Sequence, residues 1–367
     1  IVENKEAIND FIDCVIEISD SVNSDNWNGE DVMGIFFNEF NRYKKKSESG
    51  QIFTPDHITS LMYRILEVNA NDKILDACCG SGAFLVKSMS NMIKEVGGVN
   101  TKEAKKIKEH SLFGIEFDRE IFALACANMM IHKDGKTNLE QLDSRDKEAS
   151  EWIKSKGITK VLMNPPFERK YGCKKIVENV LNSVPSGIKC AFIMPEKKME
   201  KDKMGKLLEK HHLEAIIKLP EKLFDAGVTT SIYVFETGKK QVGEIYGCYI
   251  EDDGLERVKN QGRQDIKDKW MELENYWVDS IRKRNDTKYG TSQWIDPKKF
   301  LSYQKPKAEF VLYEEDFVKT MMNYLMFKNK IDVKEFSDKL INKTLYNSEI
   351  LKEDNNIVIK IKDAEDE

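Results

Sequence analysis

The run VLMNPPF, Val161 to Phe167, ends a short apolar stretch in an asparagine, two prolines and a phenylalanine. At the carboxyl end of a strand in a parallel α/β sheet, this is where ligands sit. Asn164 through its side-chain carbonyl and Pro165 through its main-chain carbonyl could each accept one hydrogen of an exocyclic amine such as that of adenine. Such an amine is a poor nucleophile because its lone pair is delocalised into the ring. Two acceptors would pyramidalise it and aim the lone pair at an electrophile. Pro165 and Pro166 fix φ at successive positions and stiffen the turn, so the acceptors are preorganised. Phe167 could stack on a base swung out of a duplex, a contact worth about 1–3 kcal/mol. The same residues could also be only a rigid strand-end turn.

A second run, ILDACCGSGAFL from Ile74 to Leu85, passes from apolar residues through small ones into helical spacing. Backbone N–H groups and a helix N-terminus at such a turn suit a ligand carboxylate or phosphate. Asp76 is placed to bind the amino group of a zwitterion, and Gly80 and Gly82 allow close approach of backbone. An acid there disfavours a pyrophosphate, and the spacing is not G-x-G-x-x-G. FGIEFD, Phe113 to Asp118, puts Glu116 where a carboxylate can accept both hydroxyls of a ribose, with Phe117 beside it. A solvated surface acid is the plain alternative. Asp143, in QLDS, could take an adenine amino group or cap a helix.

These residues need a sheet to hold them. Apolar spacing predicts two short helices between Ile8 and Tyr43, separated by a turn at Asn23 to Gly29, then a charged linker from Lys44 to Gly50. Thr54 reads as an N-cap with Pro55 in the first turn of a helix carrying Ile58, Leu61, Met62 and Ile65. Strands are expected at 73–76, 111–117, 160–163, 190–194, 213–218, 229–236 and 245–250, with helices at 83–93 and 121–132. The stretch 97–110 reads as a polar insertion. Alternating strands and helices imply a Rossmann-like α/β fold, a mostly parallel sheet with helices on both faces, with an antiparallel edge near its last two strands. Past Gly238 the pattern loosens, with one helix expected over 314–340 and a strand at 357–361. The expected division is a helical segment over 1–48, a catalytic domain over 49–240 and a C-terminal region over 241–367 that extends recognition or partner binding.

Composition bounds the rest. Among 367 residues, 58 basic and 63 acidic side chains give a net charge of −5, so any nucleic-acid contact must come from a local patch or a partner. The basic residues Arg169, Lys170, Lys174 and Lys175 after the asparagine motif could be that patch, or a solvated loop. Seven cysteines without C-x-x-C pairs fit a reducing cytoplasm. Cys78 and Cys79 read as packing residues, since nothing adjacent activates a thiol. The five histidines show no metal-ligand spacing, and no metal is expected.

Together these stretches resemble the amino-methyltransferase family, and within it the modification subunits of type I restriction-modification systems. Those proteins carry a G-Q-x-x-T-P element, matched by SGQIFTP at Ser49 to Pro55. They also carry a D-x-x-x-G-S-G-x-F-L loop, matched by DACCGSGAFL, and an N-P-P-F site. A K-L-P-x-x-L-F segment with a nearby T-S pair follows, as in IIKLPEKLFDAGVTTS, Ile216 to Ser231. The resemblance runs from about Val32 to Glu236. Only about 50 residues precede the G-Q-x-x-T-P element, where the family usually has a long helical domain.

The resemblance implies adenine-N6 methylation of a flipped-out base in double-stranded DNA, with S-adenosylmethionine as cofactor. It implies that Phe53, Thr54 and Pro55 close over that cofactor, that Asp76, Cys78, Gly80, Gly82, Glu116, Phe117 and Asp143 bind it, and that Asn164 to Phe167 hold the target. Partners would be a specificity subunit and a restriction subunit. Methylation of RNA or of a protein glutamine amide is the alternative within enzymes, since both use N-P-P sites. A scaffold that merely keeps the fold is disfavoured by the presence of Asp76, Asn164 and both prolines.

Overall fold

Strands whose residues are buried at nearly every position are covered on both faces, and seven such strands form the body of a nine-stranded sheet whose two outermost strands, Leu139–Gln141 and Ser292–Ile295, are more open. A computed structural model describes residues 5–29, 31–35, 54–133, 138–167, 172–199, 201–221, 223–224, 228–258, 262–306, 314–346, 348–353 and 356–361. In chain order the central strands are β1 (Ile74–Asp76), β2 (Leu112–Glu116), β3 (Leu139–Gln141), β4 (Lys160–Met163), β5 (Lys189–Pro195), β6 (His212–Lys218), β7 (Thr230–Glu236) and β8 (Ile245–Tyr249). The ninth is Ser292–Ile295, numbered β11 because a separate small hairpin, β9 (Glu256–Val258) and β10 (Gly262–Gln264), precedes it. Across the sheet the order is β11-β8-β6-β7-β5-β4-β1-β2-β3.

The pairings of β3, β2, β1, β4 and β5 are parallel. β7 runs antiparallel between β5 and β6, and β8 is parallel to β6. The antiparallel strand expected at the edge therefore lies inside the sheet, because β8 and then β11 pair beyond it.

Period-two alternation divides the strands between two cores. Ile74, Leu162, Ile193, Ile217 and Val234 face one side, under α2 (Asp56–Ile65) and α3 (Ala83–Glu95). Leu75, Val161, Met163, Phe192 and Tyr233 face the other, over α6 (Lys147–Lys156) and α7 (Cys173–Ser183). Helices α1 (Lys5–Val22), α4 (Lys102–His110), α5 (Arg119–Ile131), α8 (Lys201–Leu208) and α9 (Trp270–Lys283) complete the first of two units, Ile1–Gln304. Its boundary at Gln304 lies past residue 240, where the catalytic domain was expected to end, since β8 and β11 extend the same sheet.

The polar insertion 97–110 carries a helix of its own, α4, which Thr101 caps by accepting from the Ala104 N–H. The basic stretch after the asparagine motif becomes α7 from Cys173 onward, burying Ile176, Val177, Val180 and Leu181. The second unit, Lys305–Glu367, holds α10 (Glu314–Lys328), α11 (Val333–Tyr346) and the hairpin β12 (Ser348–Glu353) with β13 (Asn356–Ile361). The single helix expected over 314–340 is thus two, broken between Asn329 and Asp332. No helix among the described residues is long and apolar enough to cross a membrane.

An N-terminal strap joins the first unit. Trp27 stacks on His132 with ring centroids 4.3 Å apart, and the Lys87 ammonium donates to the Asn28 carbonyl at 2.6 Å. Asp31 accepts from the Ser81 hydroxyl and, at 2.8 Å each, from the Asn128 amide and the Gly34 N–H.

Candidate active site

The strand order fixes where a pocket can form. From β1 the chain builds outward to β2 and β3, then crosses to β4 on the other side, so the loops leaving β1 and β4 diverge and open a crevice. Asp76 ends β1, Glu116 ends β2 and Asn164 follows β4, all at the carboxyl edge. Register confirms their proximity, for Asp76 pairs with Gly114, two residues before Glu116. One pocket is lined by Thr54, Asp76, Cys78, Gly80, Glu116, Phe117, Asp143, Arg145, Asn164, Pro165 and Pro166 among others. Most of the expected site residues thus converge.

The glycine turn differs in detail from an anion cradle. The Cys78 N–H donates to Asp76 Oδ1 at 3.0 Å, Cys79 to the Ile115 carbonyl at 3.0 Å, Gly80 to Glu116 Oε2 at 3.0 Å and Gly82 to the Cys79 carbonyl at 2.7 Å. These four N–H groups are committed to the protein, so the expectation that the turn offers its backbone to an anion is corrected at these positions. What stands beside the turn at the pocket wall is acid, Asp76 and Glu116. Gly80 and Gly82 take positive φ, 55° and 97°, which makes the tight turn possible, and a Cβ at Gly80 would meet nothing within 4 Å.

Asp76 is 1% exposed, and burial, with a further push from Glu116, raises its carboxyl to about 8. Burial also raises Glu116, against the N–H groups of Asp118, Gly80 and Phe117 that favour its ionised form. Two such acids at a pocket wall are incompletely paired and suit a cationic or hydroxyl-bearing ligand. Phe117 stands 57% exposed at this wall, an open aromatic face.

Asp143 is already engaged. The Arg145 guanidinium donates to both its carboxylate oxygens, and that contact holds the acid below its usual range. Any adenine amino group would share Asp143 with Arg145. Cys78 lines the pocket and Cys79 is buried beside it, and burial pushes both thiols well up, which fits packing residues and not nucleophiles.

On the β4 side, Asn164 donates from Nδ2 to the Thr54 hydroxyl at 3.0 Å. Its Oδ1 is buried and has no hydrogen-bond partner among the described residues. A buried carbonyl oxygen left unpaired costs about 1–3 kcal/mol, which a ligand N–H would recover. Phe167 is 8% exposed and sets its ring edge-on to Phe224, 5.4 Å between centroids. It is not among the residues lining the pocket, so an open stacking face at Phe167 is absent from this conformation. Lys174, half-buried, and Lys175, exposed, lie in the first turn of α7. Phe53, Arg169 and Lys170 lie outside the described residues.

Thr54 does not cap α2 as its place in the sequence suggested. The cap position is Pro55, with no side-chain cap bond, and the Thr54 hydroxyl serves Asn164 instead. Contacts that local pattern does not reveal brace this helix start. The Lys87 ammonium pairs with Asp56 at 2.8 Å. On the other side His57 Nε2 lies 3.2 Å from Asp253, a fully buried acid that Arg263 also engages. Although burial pushes Asp253 up, hydrogen bonds with His57 and Arg263 bring it to about 2.

Residues 29–190 match the family described as N-6 DNA Methylase. A type II restriction enzyme and methyltransferase, RM.BcgI of Heyndrickxia coagulans, is 29% identical over 340 residues, 85% of this chain and 51% of that protein. The methylase subunit of the type I restriction enzyme EcoEI of Escherichia coli is 22% identical over 215 residues, 52% of this chain and 43% of the subunit. The chain therefore spans about half the length of the curated relatives it matches. Among solved structures, a modification subunit assigned to a type I restriction enzyme of Vibrio vulnificus YJ016 superposes with a TM-score of 0.56. It is 18% identical, over 74% of this chain and 62% of that one, a likeness of fold.

Proposed function

From the match of residues 29–190 to the family described as N-6 DNA Methylase we propose that this chain methylates the exocyclic N6 of adenine in double-stranded DNA. S-adenosylmethionine is the donor, and the chain acts as the modification component of a restriction-modification system. One observation carries the reading: Asn164, whose buried Oδ1 has no hydrogen-bond partner among the described residues, lines one pocket with Asp76 and Glu116. That pairing of features suits a donor N–H on one side and a cation-bearing nucleoside on the other.

The residues present fit the cofactor. Asp76 would hold its amino group, Glu116 its ribose hydroxyls, Phe117 its base and Asp143, shared with Arg145, the base's amino group. When bound, the cofactor supplies a methyl carbon made electrophilic by a sulfonium sulfur. Asn164 Oδ1 and the Pro165 carbonyl would each accept one N6 hydrogen and localise the lone pair on nitrogen. That lone pair would take up the methyl carbon as its bond to sulfur breaks, the bonding pair staying on sulfur, and the nitrogen would then shed one of its two hydrogens as a proton to water. Both oxygens stabilise the positive charge that develops on nitrogen before the proton leaves. The target adenine would be extruded to reach them.

The partners proposed are duplex DNA, a specificity subunit and a restriction subunit. A net charge of −5 favours delegating phosphate contacts to a partner or to a local patch that includes Lys174 and Lys175. A DNA substrate and seven free cysteines suit the cytoplasm.

The test is transfer of labelled methyl onto duplex DNA, RNA and protein by the chain alone and with neighbouring gene products, with mass spectrometry of the product. N6-methyladenine in DNA is expected. Asn164→Ala should lose about a hundredfold or more in rate while binding cofactor within a few-fold of wild type. Label in RNA or in a glutamine amide would replace DNA as substrate, and an active Asn164→Ala would remove the proposed role of the amide.

A further inference from the structure

A carboxamide is nearly symmetric in shape, so the chemistry of Asn164 depends on which of its two ends faces the reacting amine. With Oδ1 toward the amine it accepts a hydrogen; turned by 180° it presents N–H to N–H and repels. A threonine hydroxyl facing the other end can accept from Nδ2 or donate to Oδ1, so by itself it does not decide the orientation. It decides once its own proton has another acceptor.

Thr54 would meet that condition once a ligand supplies the acceptor. Its hydroxyl accepts from Asn164 Nδ2, and the residue also lines the pocket. The loop N–H groups of Cys78, Cys79, Gly80 and Gly82 are spent on the protein, as is the Ser144 hydroxyl, which donates to the Ala77 carbonyl at 2.5 Å. An anionic ligand oxygen in this pocket could therefore accept from the Thr54 hydroxyl, whose proton has no acceptor among the described residues. The residues just after Thr54 are held on both sides, by Lys87 on Asp56 and by Asp253 on His57, so the hydroxyl is carried on a braced helix start.

We propose that Thr54 is a positioning residue that couples cofactor occupancy to the orientation of the Asn164 amide. A bound anionic oxygen takes the Thr54 proton, the hydroxyl is left only as an acceptor, and Asn164 must then donate Nδ2 to it and turn Oδ1 to the target amine. The amide is locked for catalysis when the methyl donor is in place. This inference rests on the cofactor reading above but not on the identity of the target.

The test compares wild type with Thr54→Val, which keeps the shape and removes the hydroxyl, and Thr54→Ser, which restores it. Asparagine side chains labelled with ¹⁵N report the amide directly by NMR, the Asn164 signal being assigned by its loss in Asn164→Ala. Addition of S-adenosylhomocysteine, at concentrations that saturate each protein, should shift the Asn164 NH₂ resonances in wild type and Thr54→Ser but not in Thr54→Val. With the methyl acceptor found in the transfer assay, Thr54→Val should lose about tenfold or more in kcat and Thr54→Ser should stay within threefold. An Asn164 signal equally responsive in Thr54→Val, a kcat in Thr54→Val within threefold of wild type, or a Thr54→Ser as impaired as Thr54→Val would each overturn the proposal. A wild type that shows the Thr54-dependent shift yet leaves DNA unmethylated would refute the DNA reading and leave this one standing.

Discussion

Asp76 makes cofactor affinity depend on pH across the neutral range, where an ordinary surface carboxylate would leave it flat. Its carboxyl titrates at about 8 because burial strips it of water, so at pH 6 about one molecule in a hundred carries the charge and at pH 8 about half do. A ligand ammonium group needs the charged form, so binding at pH 6 must first expel a proton. The ratio of these populations is about 50, equivalent to about 2.3 kcal/mol. Affinity should therefore rise about tenfold between pH 6 and 7, less steeply to pH 8, and flatten above. The sign for the ligand-free protein is the reverse. The folded state holds the Asp76 proton more tightly than the unfolded chain, so this group's contribution to stability is present below the unfolded value near 3.9 and is lost as pH rises through 8. His132, which burial and then Lys108 push down to about 4, remains neutral from pH 6 to 8 and adds no slope. Calorimetric titration of S-adenosylhomocysteine at pH 6, 7 and 8, in buffers of different ionisation enthalpy, measures both the affinity and the protons released. Asp76→Asn cannot ionise and isolates the share of this residue: weaker binding is expected with the slope removed. A wild-type affinity that is flat from pH 6 to 8, or a slope that survives in Asp76→Asn, would refute the assignment.

Two further outcomes follow from packing. At Gly114, in the middle of β2, a Cβ would stand 2.5 Å from Leu139 Cδ2, 3.0 Å from Leu85 Cδ1 and 3.1 Å from Cys79 Sγ. Gly114→Ala should cost about 1–3 kcal/mol, read as a lower urea midpoint, and an unchanged midpoint would show that the sheet and glycine turn yield more easily than this. Cys14 is exposed, whereas burial pushes the thiols of Cys78 and Cys79 well up. Iodoacetamide at neutral pH should label Cys14 first and the paired cysteines only after unfolding, and mass spectrometry showing Cys78 modified first would contradict their inert role.

The strands were legible because burial on both faces leaves little but apolar residues, as in VLM before Asn164 and CAFIM in β5. Helix α7 was less so. Its buried positions, Ile176, Val177, Val180 and Leu181, follow helical spacing, yet Lys174 and Lys175 in its first turn draw the eye to a basic loop. β3 has three residues with one buried, too little to carry a period. Asp76, Glu116 and Asn164 could be placed because each stands at the end of a recognisable strand. The partners that tune them could not. Asp31 reaches Ser81 and Asn128 across 50 and 97 residues, and His57 reaches Asp253 across 196. Thr54 was misread for a related reason: threonine before proline at a helix start carries a local capping signal, and a tertiary acceptor role outcompeted it.

The glycine turn shows how these long-range contacts bear on selectivity. From inside, Glu116 accepts from the Gly80 N–H; from the other side, Asp31 accepts from the Ser81 hydroxyl. Burial raises Asp31, against bonds from Ser81, Gly34 and Asn128, as it raises Asp76 and Glu116. Three carboxyls crowd one turn, each destabilised as an anion by lost hydration and two of them on the pocket wall. Such an arrangement disfavours a pyrophosphate, whose charge would oppose their ionisation still further, and rewards a ligand that brings positive charge or hydroxyl donors. A nucleoside bearing an ammonium group and a sulfonium satisfies both requirements, whereas loss of the sulfonium charge on methyl transfer removes part of the attraction. The same desolvation that makes Asp76 costly in the empty pocket thus favours the charged donor over its neutral thioether product.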